Sequence, residues 1–108
     1  MKSIALLPAI CCGPEKDPLT EAERDHLAAR FKALADPTRV AIVNSLSAAD
    51  EVCVCNLTAT FELSQPTISH HLKILREAGL VESTRRGTWA YYRIVPEAIE
   101  ALRGALGA

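Results

Sequence analysis

Two close pairs of cysteines, Cys11-Cys12 and Cys53-Val54-Cys55, are all the thiols in this 108-residue chain. Adjacent cysteines are badly placed to bridge each other, because a disulfide between neighbours strains the peptide that joins them. Both sulfurs of such a pair can still reach one large soft ion. Cys53 and Cys55 stand at i and i+2, which in a regular helix puts them on nearly opposite sides. They act together only where the segment is non-helical or opens. Placed before or within the first turn of a helix, they gain from the positive end of its dipole, which favours the thiolate. Thiolates select soft or borderline metals and metalloids and leave out hard ions such as Mg²⁺ and Ca²⁺. For a single cysteine the plain alternative is apolar packing, and Cys53 between Val52 and Val54 has the neighbours for it. Two separate pairs point instead to ligation, with a reversible redox switch as the competing use of the same sulfurs. Histidine adds little. His70 and His71 point about 100° apart on a helix, so they cannot share an ion, and His26 stands alone.

The elements that must position these thiols are mostly helical. Residues 1–19 hold three of the six prolines and no lasting period, and read as a mobile arm carrying Cys11 and Cys12. Residues 20–108 read as one domain, long enough to bury a modest single core. Thr20 and Glu23 make a capping box, followed by Leu27, Phe31 and Leu34 at the spacing of one buried helical face. Asp36 can cap a second helix near residues 37–47, with Pro37 in its first turn. Val40, Ala41, Ile42, Val43 and Leu46 make that helix apolar on several sides, which predicts a central place in the core. Leu57 and Phe61 suggest a two-turn helix. Ser64 then caps the strongest helical signal, with Ile68, Leu72 and Leu75 as its stripe and Gly79 at its end. A β-hairpin pattern turns at Arg86-Gly87, and Pro96 opens a last helix with Ile99, Leu102 and Leu106 on one side. The expected fold class is mainly α with a β-hairpin wing (α+β), in the order α-α-α-α-β-β-α. That is the winged helix-turn-helix plan.

Net charge is −1, but its distribution is uneven. Residues 64–93 carry five Lys/Arg against two Asp/Glu, whereas residues 1–63 carry six against nine. A local positive field of this kind suits a polyanion. With Leu72 and Leu75 facing inward, the same helix offers Gln65, Thr67, Ser69, His70, His71 and Lys73 to a groove or to solvent. Gln65 can pair bidentately with adenine, and Thr67 and Ser69 can meet bases or phosphates. The helix start at Ser64 favours a phosphate oxygen, and Arg85 and Arg86 at the hairpin tip add phosphate or minor-groove contacts. Any one of these polar residues could merely cover a solvated face. Together they indicate double-stranded DNA.

No run approaches the roughly 20 apolar residues of a membrane span. The stretch "MKSIALLPAICC" is too short and too interrupted by Pro8 for a secretory h-region. A cytoplasmic protein is therefore expected, where cysteine clusters more often mean metal or redox chemistry than disulfides. A thiol enzyme with a phosphate cradle of the C-x₅-R type is excluded, since Asp17, Pro18, Ala59 and Phe61 stand six places beyond the four cysteines.

The stretch "EVCVCNL" resembles the metal-binding box ELCVCDL of the arsenical-resistance (ArsR/SmtB) repressor family. "FKALADPTRVAIVNSL" and "LSQPTISHHLKILREAGLVESTRRGTWAYYRI" are similar to that family's second helix and to its recognition helix with wing. The resemblance covers residues 20–106. It implies a homodimeric repressor that pairs through its first and last helices and leaves operator DNA when a metal or metalloid binds. Cys53 and Cys55 match the box cysteines that bind As(III) or Sb(III). In the cadmium/lead sensors of the family, cysteines of the partner's N-terminal arm join the site, a role open to Cys11 and Cys12. Asn56 replaces the box's usual Asp, and Val52 its Leu. The last helix has no His, so the family's zinc site on that helix is absent from this sequence. Three thiolates in a pyramid suit As(III), with Cys11, Cys12 and Cys55 as the expected trio. The alternative is Cd(II) or Pb(II) held by all four cysteines.

Overall fold

The described residues, 18–107 of a computed structural model, form five helices and a three-stranded sheet. Cys11 and Cys12, and with them most of the expected arm, lie outside the described residues. In chain order the elements are α1 (Glu21–Ala33), α2 (Pro37–Ser47), β1 (Val52–Cys53), α3 (Val54–Phe61), α4 (Gln65–Glu77), β2 (Val81–Arg86), β3 (Trp89–Ile94) and α5 (Pro96–Ala105). This is the winged helix-turn-helix plan read from the sequence, with one strand added.

The helices begin where side chains can satisfy their free N–H groups. The Glu23 N–H donates to Thr20 Oγ1 at 3.1 Å, and the Thr20 N–H donates back to Glu23 Oε1 at 2.9 Å, which completes the capping box. The Arg39 N–H donates to Asp36 Oδ2 at 3.1 Å, and the Thr67 N–H to Ser64 Oγ at 3.3 Å. The Arg39 N–H bond is the main reason the Asp36 carboxyl is held below its ordinary value of 3.8. A depressed carboxyl stabilises the fold above its unfolded pKa, and that contribution is lost as pH falls through the lower, folded value. Asp36→Asn keeps an N-cap acceptor but removes this titration. Urea midpoints for Asp36→Asn should therefore fall less steeply than wild type as pH is taken below the ordinary carboxylate range.

Ile42, Leu46, Leu57, Ile68, Leu72, Leu75, Leu80 and Val81 are fully buried and join α2, α3, α4 and the base of the wing in one core. Three of them are the stripe of α4, so the core fixes which face of that helix remains outside. Leu72→Ala should cost about 2–5 kcal/mol of stability through the cavity it leaves, measurable by urea unfolding.

Three apolar expectations fail in the single chain. Phe31 and Val40 are exposed, and Leu106, just past α5, is 71% exposed. On α2, Ile42 and Leu46 are fully buried and Val43 packs against the core, while Val40 faces outward. Periodicity marks these residues as apolar but does not say what covers them.

The sheet order is β1-β3-β2, with both pairings antiparallel. β2 and β3 are the expected hairpin, but Arg86 pairs with Trp89, so the turn is Gly87-Thr88 rather than Arg86-Gly87, with Gly87 at φ +63° as its left-handed residue. β1 was not expected. It pairs Val52 with Tyr92 and Cys53 with Tyr91, so the cysteine box is an edge of the wing's own sheet.

Candidate nucleic-acid interface and thiol box

Ser64, Gln65, Thr67, Ser69, His70 and Lys73 are all exposed on or beside α4, opposite the buried stripe. Ser64 and Thr67 also bond each other, Oγ to Oγ1 at 2.9 Å. These hydroxyls are therefore fixed at the helix start, where free N–H groups favour an anionic oxygen. The two adjacent histidines part company. His71 turns toward α2, its Nδ1 at 3.3 Å from Arg39 Nη1 and 4.0 Å from Asp36 Oδ2, while His70 stays exposed. Arg30 of α1 donates from Nε to the Ala78 carbonyl at 3.1 Å, which closes the far end of α4. The guanidinium lies 3.3 Å from where a Cβ on Gly79 would stand, and Gly79 itself has φ +79°. The exposed helix is thus tied to α2 at its middle and to α1 at its far end.

In the wing, Arg85 and Arg86 are exposed near the hairpin tip. Arg85 belongs to a cleft described below. Arg86 is not free: its guanidinium stacks over the Tyr91 ring at 4.6 Å and is ion-paired with Glu51, the residue before β1. Neither Glu51 nor Tyr91 is singled out by the sequence, because their link to Arg86 exists only once β1 joins the sheet.

The cysteine box sits where strand becomes helix. Cys53 ends β1 in extended conformation (φ −71°, ψ 142°) and is the N-cap of α3; its Sγ accepts from the Cys55 N–H at 3.4 Å. Cys55 lies in the first turn. Because one residue is extended and the other helical, the two side chains do not diverge as they would along a regular helix. Their Cα atoms are 5.2 Å apart and their Sγ atoms are joined as a disulfide. Cys53 is buried and Cys55 is exposed. Among the described residues no three His, Cys, Asp or Glu side chains form a metal-holding group, so the box offers two sulfur ligands. Once reduced, the two sulfurs at this helix N-terminus fit a thiophilic ion and leave at least one of its bonds to be made from elsewhere.

Cys55 also lines a cleft of about 350 Å³ together with Gln65 from α4 and Arg85 and Trp89 from the wing. The cleft therefore joins the box to both groups expected to meet DNA. Trp89, the chain's single tryptophan, is 53% exposed there. A tryptophan at a hairpin tip was the available sequence signal for this cleft. A second concavity, a trough of about 770 Å³, runs between α1 and α5 and is lined by Leu19, Ala22, Leu27, Ala101 and Ala105 among others.

Comparison with known proteins agrees with this geometry. The sequence pattern described as "Bacterial regulatory protein, arsR family" matches residues 36–83, from the cap of α2 into β2. An arsenical resistance operon repressor of Bacillus subtilis is 44% identical over 73 residues, 68% of this chain and 70% of that one. The chain belongs to the ArsR family. An arsenic resistance transcriptional regulator of Pseudomonas putida is 52% identical over 67 residues, 62% of this chain. That match spans only 52% of the relative's length. The solution structure of a homodimeric winged helix-turn-helix DNA-binding domain from Mycobacterium bovis superposes with a TM-score of 0.69 at 31% identity, covering 79% of each chain. As an ArsR-family chain, the protein stands with DNA-binding regulators rather than with enzymes. No helix among the described residues is long and apolar enough to cross a membrane.

Proposed function

We infer that the protein is a homodimeric repressor that binds operator DNA in the cytoplasm and leaves it when As(III) or Sb(III) is captured by cysteine thiolates. The observation that carries this reading is the placing of the Cys53 and Cys55 sulfurs within bonding reach of each other at the start of α3, the first helix of the helix-turn-helix, so that reduction of the pair leaves two thiolates side by side. An ion on these sulfurs pulls on the element that holds α4. Residues 1–19 act as an arm, and Cys11 or Cys12 supplies the remaining thiolate, from the same or the partner subunit, so that Cys53 takes one place in the trio of Cys11, Cys12 and Cys55 read from the sequence. Gln65, Thr67, Ser69, His70 and Lys73 face the groove, Ser64 and the helix start face a phosphate, and Arg85 and Arg86 extend the contact from the wing. The trough between α1 and α5 is the dimer seam, in line with a homodimeric neighbour of the same fold.

Ion and DNA then oppose each other through a coupling free energy, of the order of 1–3 kcal/mol in comparable systems. The test is titration of the protein onto DNA from upstream of its own gene, followed by fluorescence anisotropy with and without arsenite. The expected result is 5–150-fold weaker binding with arsenite, and identical affinity would sink the reading. X-ray absorption separates the ions. Three As–S bonds are expected for arsenite, and a Cd²⁺ site with four sulfurs and tighter binding would favour the cadmium/lead alternative. Release by peroxide that dithiothreitol reverses, with no arsenite response, would favour the redox use of the thiols.

A further inference from the structure

The regulated output of an ArsR-type helix-turn-helix is expected at its reading helix, yet the cysteine box here is also built into the wing. Cross-strand partners in an antiparallel pair lie on the same face, and so do alternate residues of one strand. The observed register therefore sets Cys53 opposite Tyr91, with Thr84 opposite Tyr91 on the other side. Glu51, Cys53, Thr84, Arg86 and Tyr91 thus share one face of the sheet. On that face Arg86 bridges two anchors, the Tyr91 ring at 4.6 Å and the Glu51 carboxylate. Glu51 is the better covered of the ion pair, its side chain 27% exposed against 57% for Arg86. The guanidinium carries five donors in a fixed plane. A carboxylate on part of that plane and a ring on its face hold it in place, while the remaining donors stay available to a phosphate.

We propose that Glu51 and Tyr91 are positioning residues for Arg86, and that through them the state of the cysteine box governs a phosphate contact made by the wing. The chain of contacts is short. Pulling Cys53 toward a third thiolate draws β1 off β3, because two paired residues are all that hold β1 in the sheet. Glu51, one residue before β1, moves with it. Tyr91 loses its β1 partner while staying paired with Thr84, and Arg86 keeps the ring but loses the carboxylate that fixed its plane. The wing then presents a loose cation instead of a fixed one. This inference rests on the repressor reading given above, and adds a second route by which thiol occupancy reaches DNA.

The salt dependence of DNA binding reads the contact directly. Each phosphate neutralised adds about 0.9 to the slope of log affinity against log salt, a sequence-independent quantity. A random duplex of about 30 base pairs, long enough for two half-sites, therefore serves as the probe. Arsenite should lower the slope for the full-length wild type by about one contact per subunit. Arg86→Gln should show the lowered slope both with and without arsenite. Glu51→Gln and Tyr91→Leu should bind the duplex several-fold more weakly without arsenite and show a reduced arsenite-dependent change. All three variants should still bind arsenite, followed by the fluorescence of Trp89 and by protection of thiols from Ellman's reagent. An arsenite-induced change of slope as large in Arg86→Gln as in wild type overturns this proposal and leaves the repressor reading standing. No effect of bound arsenite on wild-type DNA affinity overturns both.

Discussion

Cys55→Ser should leave DNA affinity within about twofold of wild type and abolish the response to arsenite. Cys55 is exposed, contributes nothing to the core, and uses only its backbone N–H in capping α3. Replacing sulfur by oxygen there removes a soft ligand at little structural cost, since hydroxyl oxygen is a poor match for a thiophilic ion. The 5–150-fold loss of DNA affinity expected with arsenite, through a coupling of about 1–3 kcal/mol, should then vanish. Cys53→Ser is the sharper control. Cys53 is buried and its sulfur caps the helix, but serine is itself a favoured N-cap, so the fold should survive while the ligand is lost. Anisotropy titrations with and without arsenite decide the matter. An undiminished arsenite response in both serine variants would place the ion elsewhere in the chain.

The other large effect concerns assembly. Ala101→Arg should convert the protein to a monomer and weaken operator binding by about 10²–10⁴-fold, the range by which joining two binding units raises avidity. Ala101 lines the trough between α1 and α5 and is exposed in the single chain, whereas its neighbour Leu102 is in the core. A long charged side chain at position 101 therefore leaves the monomer's packing alone and fills the seam with an unpaired cation. Sedimentation velocity gives the mass and anisotropy the affinity. A stable dimer of the Ala101→Arg variant would show that another face joins the subunits. Exposed Phe31 and Val40 would then mark where to look next.

The wing sets these two expectations in context. The box is joined to β3, whereas the trough between α1 and α5 lies apart from it. Cysteine variants should accordingly change the ion response and spare assembly, and seam variants should do the reverse.

What the sequence determined by itself was local. Thr20 with Glu23, Asp36 with Pro37, and Ser64 with Pro66 are signals spanning two to four residues, and each marks the start of a helix in the structure. The Ile68, Leu72 and Leu75 stripe likewise fixed which face of α4 is buried, and the chemistry of four thiols pointed to soft ions without any fold. Even β1 left a trace, since Val-Cys-Val is a run with strand preference, but two residues are too few to outweigh the helix that follows. Tertiary structure decided the rest. It joined residue 53 to residue 91, turned His71 inward while leaving His70 outside, and tied Arg86 to Glu51. It also left Phe31, Val40 and Leu106 uncovered where periodicity had them packed. The physical reason is range. Caps and helical periods are set by neighbours along the chain, whereas strand pairing and ion pairs between distant residues exist only after the core has brought their elements together.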